Sequence, residues 1–450
     1  MAPTDRLPLG TVLVFGSLAL PIATIGLPLS IYLAPFYAGE MGLPLAAVGT
    51  AMVVARLLDI VSDPLIGMAS DRWRPRMGRR RVWLLIGIPV LLLGMTQLFN
   101  PSPGVGLGYF MAWLAVMYIG FTMVRLPHLA WGGELSPDYH ERTRVAAVRQ
   151  AFSIAGLVVS TLVPAVVLAK AGATSADVLE ALSLMMLILL PLTAALVFFV
   201  VPEPGAQADE TRVTLRQGLR ALRRNGPLKR ILLVLFIGFI AETFRVTITV
   251  FFARDVIGVP NLGAIYVYYF AAAFLFIPFW RWFARRVGKH RALCAAFVVV
   301  IATNASIFFL SRGDVAVFTG LFILKGAGFG ALELLPQAMI ADTADVDTAI
   351  SRERRQGMLF AIFGIIVNAG QAIGQGLSLN LLGLVGYDAA GESAPEQLWW
   401  LRLFYTVLPS LGLLVPLWLM WNYPLTAARH DALRAGLARR GAAAAVVGAV

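Results

Sequence analysis

Twelve apolar stretches, each near the roughly 20 residues that a helix needs to cross the hydrocarbon of a bilayer, recur along the chain and dictate its fold class. They lie at roughly 9–36, 44–70, 82–99, 105–133, 145–169, 178–201, 231–253, 261–283, 292–311, 315–341, 357–384 and 398–423. Turn-forming residues punctuate them, among them Asn100-Pro-Ser-Pro103, Pro202-Glu-Pro-Gly205 and Val259-Pro260. Hydrophobic residues make up 59% of the chain and charged ones 14%, against about 45–50% and 25% in a soluble domain. A soluble protein of this size has too little interior to hide that excess, so lipid must cover it. The sequence predicts an all-α membrane protein with twelve transmembrane helices.

The formal charge of +12 has two readings. A nucleic-acid binder would gather its basic residues on a folded soluble face, and no stretch here is long enough for such a domain. The positive-inside rule accounts for the same charge. With the amino terminus inside, the predicted cytoplasmic segments hold 27 Lys and Arg, against Lys170, Arg254, Arg312 and Arg402 on the other side. Both termini are therefore expected in the cytoplasm, in a multi-pass protein of a bacterial inner membrane, and as a monomer. The first apolar run is long and is followed by further spans, so it reads as a membrane helix and not as a cleaved signal. Cys294 is the single cysteine, which leaves no disulfide within the chain and no thiol-based metal site. No cofactor is expected.

Segment 202–230 is the one long, polar connection and divides the spans into two sets of six. The expected organisation is an amino-terminal bundle over 1–201, a cytoplasmic linker over 202–230, a carboxy-terminal bundle over 231–424 and a cytoplasmic tail over 425–450. Within the linker, 212–224 reads either as a basic amphipathic helix on the inner leaflet or as a solvated segment held by anionic lipid. The two halves echo each other. Gly78-Arg79-Arg80-Arg81 follows span 2, and Arg285-Arg286-Val287-Gly288-Lys289 follows span 8. Glu134 to Arg144 follows span 4, and Asp342 to Arg355 follows span 10. Internal duplication explains both echoes and gives two pseudo-symmetric six-helix bundles.

Three stretches carry a specific resemblance. Arg56-Leu-Leu-Asp59-Ile-Val-Ser-Asp63-Pro64-Leu-Ile-Gly67 resembles the helix 2 signature of the glycoside–pentoside–hexuronide:cation symporters of the major facilitator superfamily, the melibiose-carrier type. Ala341-Asp342-Thr343-Ala344-Asp345, with Arg352 beyond it, is similar to that family's segment after helix 10, and Leu126-Pro127 with Glu141-Arg142-Thr143 and Arg149 to its helix 4 to helix 5 passage. The resemblance implies the major facilitator fold and cation-coupled uptake, usually of a sugar, by alternating access. The sequence departs from the family in four places. Arg125 stands where relatives carry an acidic cation ligand, Asn368 where they carry a helix 11 lysine, and Ala23 and Leu129 where they carry an acidic and an aromatic sugar ligand.

Ionised groups inside spans are costly and mark pathways or partners. Arg56, Asp59 and Asp63 fall at i, i+3 and i+7, on one helix face, with the two carboxylates about 6 Å apart along the axis. Unless a cation, a proton or an arginine intervenes, two such carboxylates cannot both stay ionised in a low dielectric. Asp59, Asp63, Arg125 and Arg56 are therefore read as the cation-coupling group, with a permanent structural ion network as the alternative. A proton needs one carboxylate, whereas a metal cation prefers several oxygens and is repelled by Arg125, so the coupling ion is read as a proton before sodium. Arg149, Glu242, Arg245, Lys325 and Asn368 are the candidate substrate ligands, with local pairing as the alternative for the helix 7 and helix 10 charges. Asp71, Arg72, Arg79 and Arg80, matched by Asp342, Asp345 and Arg352, are candidate gating residues. His128 is read as structural before proton relay, and His140, His290 and His430 as solvated.

The leading function is thus cation-coupled symport of a sugar-like or other small organic solute, the partners being that solute, a proton or sodium ion, and membrane lipid. A lysolipid or other amphipath is the alternative cargo for the same fold. An enzyme would need a nucleophile–base pair or a metal cluster, and the chain has no H-E-x-x-H, no G-x-S-x-G and no Cys/His set.

Overall fold

The computed structural model describes residues 6–73, 75–136, 138–203, 225–351, 356–390 and 393–426, with positions 429–430, 432–433 and 436 beyond them. The proposed linker helix at 212–224 and Arg352 lie outside the described residues. Among those described there are helices and no strands. Ten helices are long and apolar enough to cross a membrane, and two bent pairs bring the number to twelve. They are α1 (Leu9–Ile31), α2 (Leu45–Arg72), α3 (Arg81–Phe99), α4 (Leu107–Glu134), α5 (Glu141–Val167) and α6 (Ser175–Val200) in the first half. The second half has α7 (Gly226–Thr247 with Thr249–Ile257), α8 (Leu262–Leu275 with Ile277–Val287), α9 (Lys289–Ile307), α10 (Val315–Ala349), α11 (Ile362–Leu384) and α12 (Pro395–Trp421).

The two bends have different causes. In α8, Pro278 at the head of Ile277–Val287 lacks an amide proton, and the two pieces meet at 42°. In α7 the break of 43° falls at Ile248, within Val246-Thr247-Ile248-Thr249-Val250, whose branched side chains crowd the preceding turn. Spans 1 and 7 also end alike. Each closes in a π-helical turn, Phe36–Glu40 or Phe252–Ile257, then a left-handed glycine, Gly42 or Gly258, two residues before Pro44 or Pro260. This shared ending repeats, in backbone geometry, the duplication read from the loops.

By contacts the chain groups into two compact units. One comprises residues 1–209, 246–267 and 375–401, the other 210–245, 268–374 and 402–450. In the first unit α3 and α4 touch backbone to backbone: a Cβ on Gly120 would stand 2.5 Å from the amide nitrogen of Leu91, and one on Gly94 would stand 2.6 Å from that of Met117. Glycine at these positions is what lets two membrane helices approach so closely. The end of α2 away from Asp71 is closely packed in the same unit. Thr50 Oγ1 donates to Asn380 Oδ1 at 3.2 Å, and a Cβ on Gly49 would meet Leu379 Cβ at 2.6 Å. At the start of α8, Asn261 Nδ2 donates to the Ala165 carbonyl on α5 at 2.8 Å. In the second unit Leu228, Ile231, Trp280, Leu293, Phe297, Leu335 and Ile340 lie in one buried apolar core.

Candidate functional site

Helical spacing sets Arg56, Asp59 and Asp63 on one face of α2, and α4 supplies the opposing residues one turn apart, Thr122 and Arg125. Arg125 Nη2 donates to Asp63 Oδ2 at 3.1 Å, and Thr122 Oγ1 donates to Asp63 Oδ1 at 2.9 Å. Asp63 thus has a partner on each oxygen. Asp59 does not. It is 6% exposed, and among the described residues its ion-pair contact is Arg56 at 3.8 Å and its Oδ1 has no hydrogen-bond partner. Arg56 Nε, Ser62 Oγ and Arg125 Nε are equally unpartnered. Arg56 lies over the Tyr118 ring at 5.0 Å and Arg125 over Phe121 at 5.6 Å. Buried polar atoms are normally satisfied, so these four atoms stand out from the rest of the two helices. Arg125 thus brings its guanidinium to Asp63, while Asp59 has the longer contact to Arg56.

In the second unit Glu242, Arg245 and Lys325 also come together. Arg245 and Lys325 are each 1% exposed. Arg245 donates to Glu242 within α7, with Nε to Oε2 at 3.4 Å, and its Nη1 donates to the Tyr405 hydroxyl on α12 at 3.0 Å. Lys325 Nζ donates to Asn304 Oδ1 on α9 at 2.7 Å and lies 3.8 Å from Glu242 Oε2. The face of the Arg245 guanidinium meets the Phe322 and Tyr405 rings at 5.6 Å each. Glu333, on α10, lines an apolar pocket together with Glu242, Phe239, Phe297 and Phe329. Arg149, on α5, is half-buried and has no ion pair among the described residues. Asn368 is half-buried on α11.

A profile described as MFS/sugar transport protein matches residues 14–427, nearly the whole chain. The chain belongs to the major facilitator sugar-transport family. Within it, the chain is a member of the glycoside–pentoside–hexuronide:cation symporters, and it is a transporter, not an enzyme. It is similar to the isoprimeverose transporter of Lactiplantibacillus pentosus, at 24% identity over 85% of this chain and 82% of that one. It is also similar to the sodium-dependent lysophosphatidylcholine symporter 1-B of Danio rerio, at 21% identity over 91% of this chain and 85% of that one. A solved structure of a bacterial homologue of the human lysosomal transporter Spinster, inward-facing and unoccupied, shares the fold. Its TM-score is 0.66 at 12% identity, over 92% of this chain and 95% of that one.

The candidate gating residues of this transporter resolve into two matching charge clusters, one in each half. In the first, Arg80 is 2% exposed and joins three elements. Its guanidinium donates to Ser70 Oγ and Asp71 Oδ1 on α2, each at 2.9 Å, and to both carboxylate oxygens of Glu134 at the end of α4. Arg79 adds a second cation to Glu134 at 2.7 Å, while Arg72 is exposed. Glu203 accepts the Arg80 backbone amide at 2.6 Å. In the second half Lys289 Nζ donates to both oxygens of Asp342 on α10, at 2.8 and 2.6 Å. Each basic residue follows a left-handed glycine, Gly78 or Gly288. The loop echo and the helix-end echo in the sequence are therefore the two sides of one repeated contact.

Two histidines need comment. His430, expected to be solvated, instead stands 2.9 Å from Asp345 Oδ2 and 4.0 Å from Asp342. These two carboxylates, i and i+3 on one helix face, draw the tail onto α10. His128 is buried with Nε2 2.9 Å from the Phe15 carbonyl and its ring 4.4 Å from the Phe15 ring, the structural role read for it. Glu134 and Glu203 were the partners that sequence reasoning did not assign, although Glu134 already stood at the head of the helix-end echo.

Proposed function

We propose that this transporter is a proton-coupled symporter of a sugar-like solute, working by alternating access, with Asp59 as the residue that takes up and releases the proton. The carrying observation is the division of labour on α2: Arg125 and Thr122 occupy the two oxygens of Asp63, while Asp59 keeps a buried oxygen with no partner among the described residues. The groups facing Asp59 are Arg56, Asp63, Arg125 and, beneath Arg56, Tyr118. One added proton satisfies Asp59 and removes a buried charge, whereas a sodium ion needs several oxygens and meets two guanidinium groups here. The closely packed end of α2 supports an access cycle in which that end opens in another state. Arg149 in the first unit, and the Glu242–Arg245–Lys325 cluster and Asn368 in the second, are each candidate polar groups for the solute's hydroxyls, and each unit carries its own charge cluster at the helix ends.

The test is uptake into proteoliposomes across a panel of glycosides, pentosides and hexuronides, with proton and sodium gradients imposed separately. Accumulation driven by the proton gradient supports the proposal. Sodium-stimulated uptake at constant pH, with no response to a proton gradient, overturns it. A lysophospholipid belongs in the panel, because a relative of 21% identity is named for that cargo and α2 presents Leu57, Val61 and Leu65 as exposed apolar residues. Cytoplasmic termini, a monomeric state and a bacterial inner-membrane location complete the proposal. Reporter fusions after residue 100 and at the carboxy terminus should fall on opposite sides.

A further inference from the structure

A second, unrelated cavity of about 820 Å³ opens in the second unit, where α8 ends, α9 begins and the chain leaves α12. Arg281, Arg285, Arg286, Lys289, His290 and Arg291 line it, and Asp342 is the one carboxylate among its lining residues. Asp342 is already held by Lys289. Arg281, Arg285 and Arg291 are exposed and have no carboxylate partner among the described residues. Tyr423 also lines the cavity. It is 5% exposed, yet its hydroxyl has no hydrogen-bond partner among the described residues. Burial, with the Asp342 charge beside it, pushes the Tyr423 phenol well above its usual range, so it stays protonated and can donate. Several guanidinium groups and one buried, unused O–H donor thus converge on one space. That donor set matches a phosphate diester.

The surroundings say which kind. The cavity sits where three spans begin or end, which is the level of lipid headgroups. The bent end piece of α8 leaves Phe279 and Trp282 exposed at 44% and 49%, with Arg286 lying over Trp282 at 4.8 Å. Aromatic residues interleaved with arginines are the usual pattern of a helix lying at a membrane interface. Leu334 and Ala338 of α10 line the same cavity, so its wall continues onto an apolar helix surface along which an acyl chain can run. We infer that this cavity is a binding site for the headgroup of an anionic phospholipid, with the phosphate taken by Arg281, Arg285 and Arg291 and by the Tyr423 hydroxyl. The site is separate from the α2 cluster and does not depend on the transported solute.

The full chain, purified in detergent, is titrated with phosphatidylglycerol or phosphatidylcholine of the same acyl length, and lipid retention is read by native mass spectrometry. Phosphatidylglycerol should be retained in preference. Retention should fall roughly a hundredfold in the triple variant Arg281→Gln/Arg285→Gln/Arg291→Gln, at about fivefold for each surface charge removed. Tyr423→Phe, which deletes only the hydroxyl, should weaken retention about fivefold and serves if the triple variant does not fold. Millimolar inorganic phosphate should leave the lipid bound. Equal retention of the two lipids, or an unchanged affinity in Tyr423→Phe and the triple variant, overturns the site. Displacement by inorganic phosphate alone identifies a soluble-anion site and overturns the lipid assignment.

Discussion

Arg125 on α4 binds Asp63 on α2 at 3.1 Å, and Thr122, one turn before it, donates to the other Asp63 oxygen at 2.9 Å. The pair lies within two membrane spans, where each charge needs the other. Removing either partner should therefore harm the protein more than removing both. In a double-mutant cycle of Arg125→Gln and Asp63→Asn, read by unfolding in detergent, the two changes should couple by about 1 kcal/mol. Strict additivity would mean that the contact carries no weight.

Asp59 should behave differently from its neighbour. Asp59→Asn supplies a neutral side chain of the same shape, a mimic of the protonated acid. Exchange of solute between the two sides should continue near the normal rate, while accumulation against a gradient falls at least tenfold. Glu333→Gln, which also neutralises a carboxylate inside a span, should leave accumulation in place. If the two variants trade these phenotypes, the proton site belongs on α10.

Arg80 is the hub of the helix-end charge cluster of the first half, bonded to Ser70, Asp71 and Glu134 while nearly all of it is buried. Arg80→Ala removes the guanidinium that ties Ser70, Asp71 and Glu134 together, though Arg79 stays on Glu134, and should cost about 2 kcal/mol of stability. Arg80→Lys should recover little of it, because an ammonium cannot reproduce the fork that reaches two helices at once. Thermal unfolding of the purified variants in detergent measures both. A lysine variant as stable as the parent would show that charge alone suffices there.

What the sequence revealed of this site follows from what a single helix determines. The i, i+3, i+7 spacing on α2 is local, so the shared face of Arg56, Asp59 and Asp63 could be read directly, and Arg125 stood out as a charge in the facing span. The partners of Arg80 could not be read in that way. Glu134 and Glu203 reach it across long chain separations, and only helix packing decides which acid meets which base. His430 is the same case, since nothing local to the tail indicates the two aspartates on α10. The break of α7 at Ile248 was hidden for another reason. Span 7 contains no proline there, and a β-branched run lowers helix preference without marking a position. Apolar length fixed the number of spans, but the packing of α2 near Gly49 against Leu379 and Asn380 depends on close approach, which composition does not encode.

The last prediction reverses the charge on α4. Arg125→Asp removes the guanidinium that holds Asp63 and adds two oxygens facing α2. With Asp59, Asp63 and the Thr122 hydroxyl already gathered there, the helix pair would offer oxygen ligands from four side chains, the kind of set that a hard monovalent cation requires. Three carboxylates would then face the single Arg56 guanidinium, which favours the uptake of a further cation. Uptake by Arg125→Asp should therefore be stimulated by sodium at constant pH in proteoliposomes more strongly than uptake by the parent measured alongside it. The added substitution Asp59→Asn should abolish that stimulation, because it removes one of the charged ligands. An Arg125→Asp protein that folds, binds solute and still follows only the proton gradient would show that the ion choice is made elsewhere in the transporter.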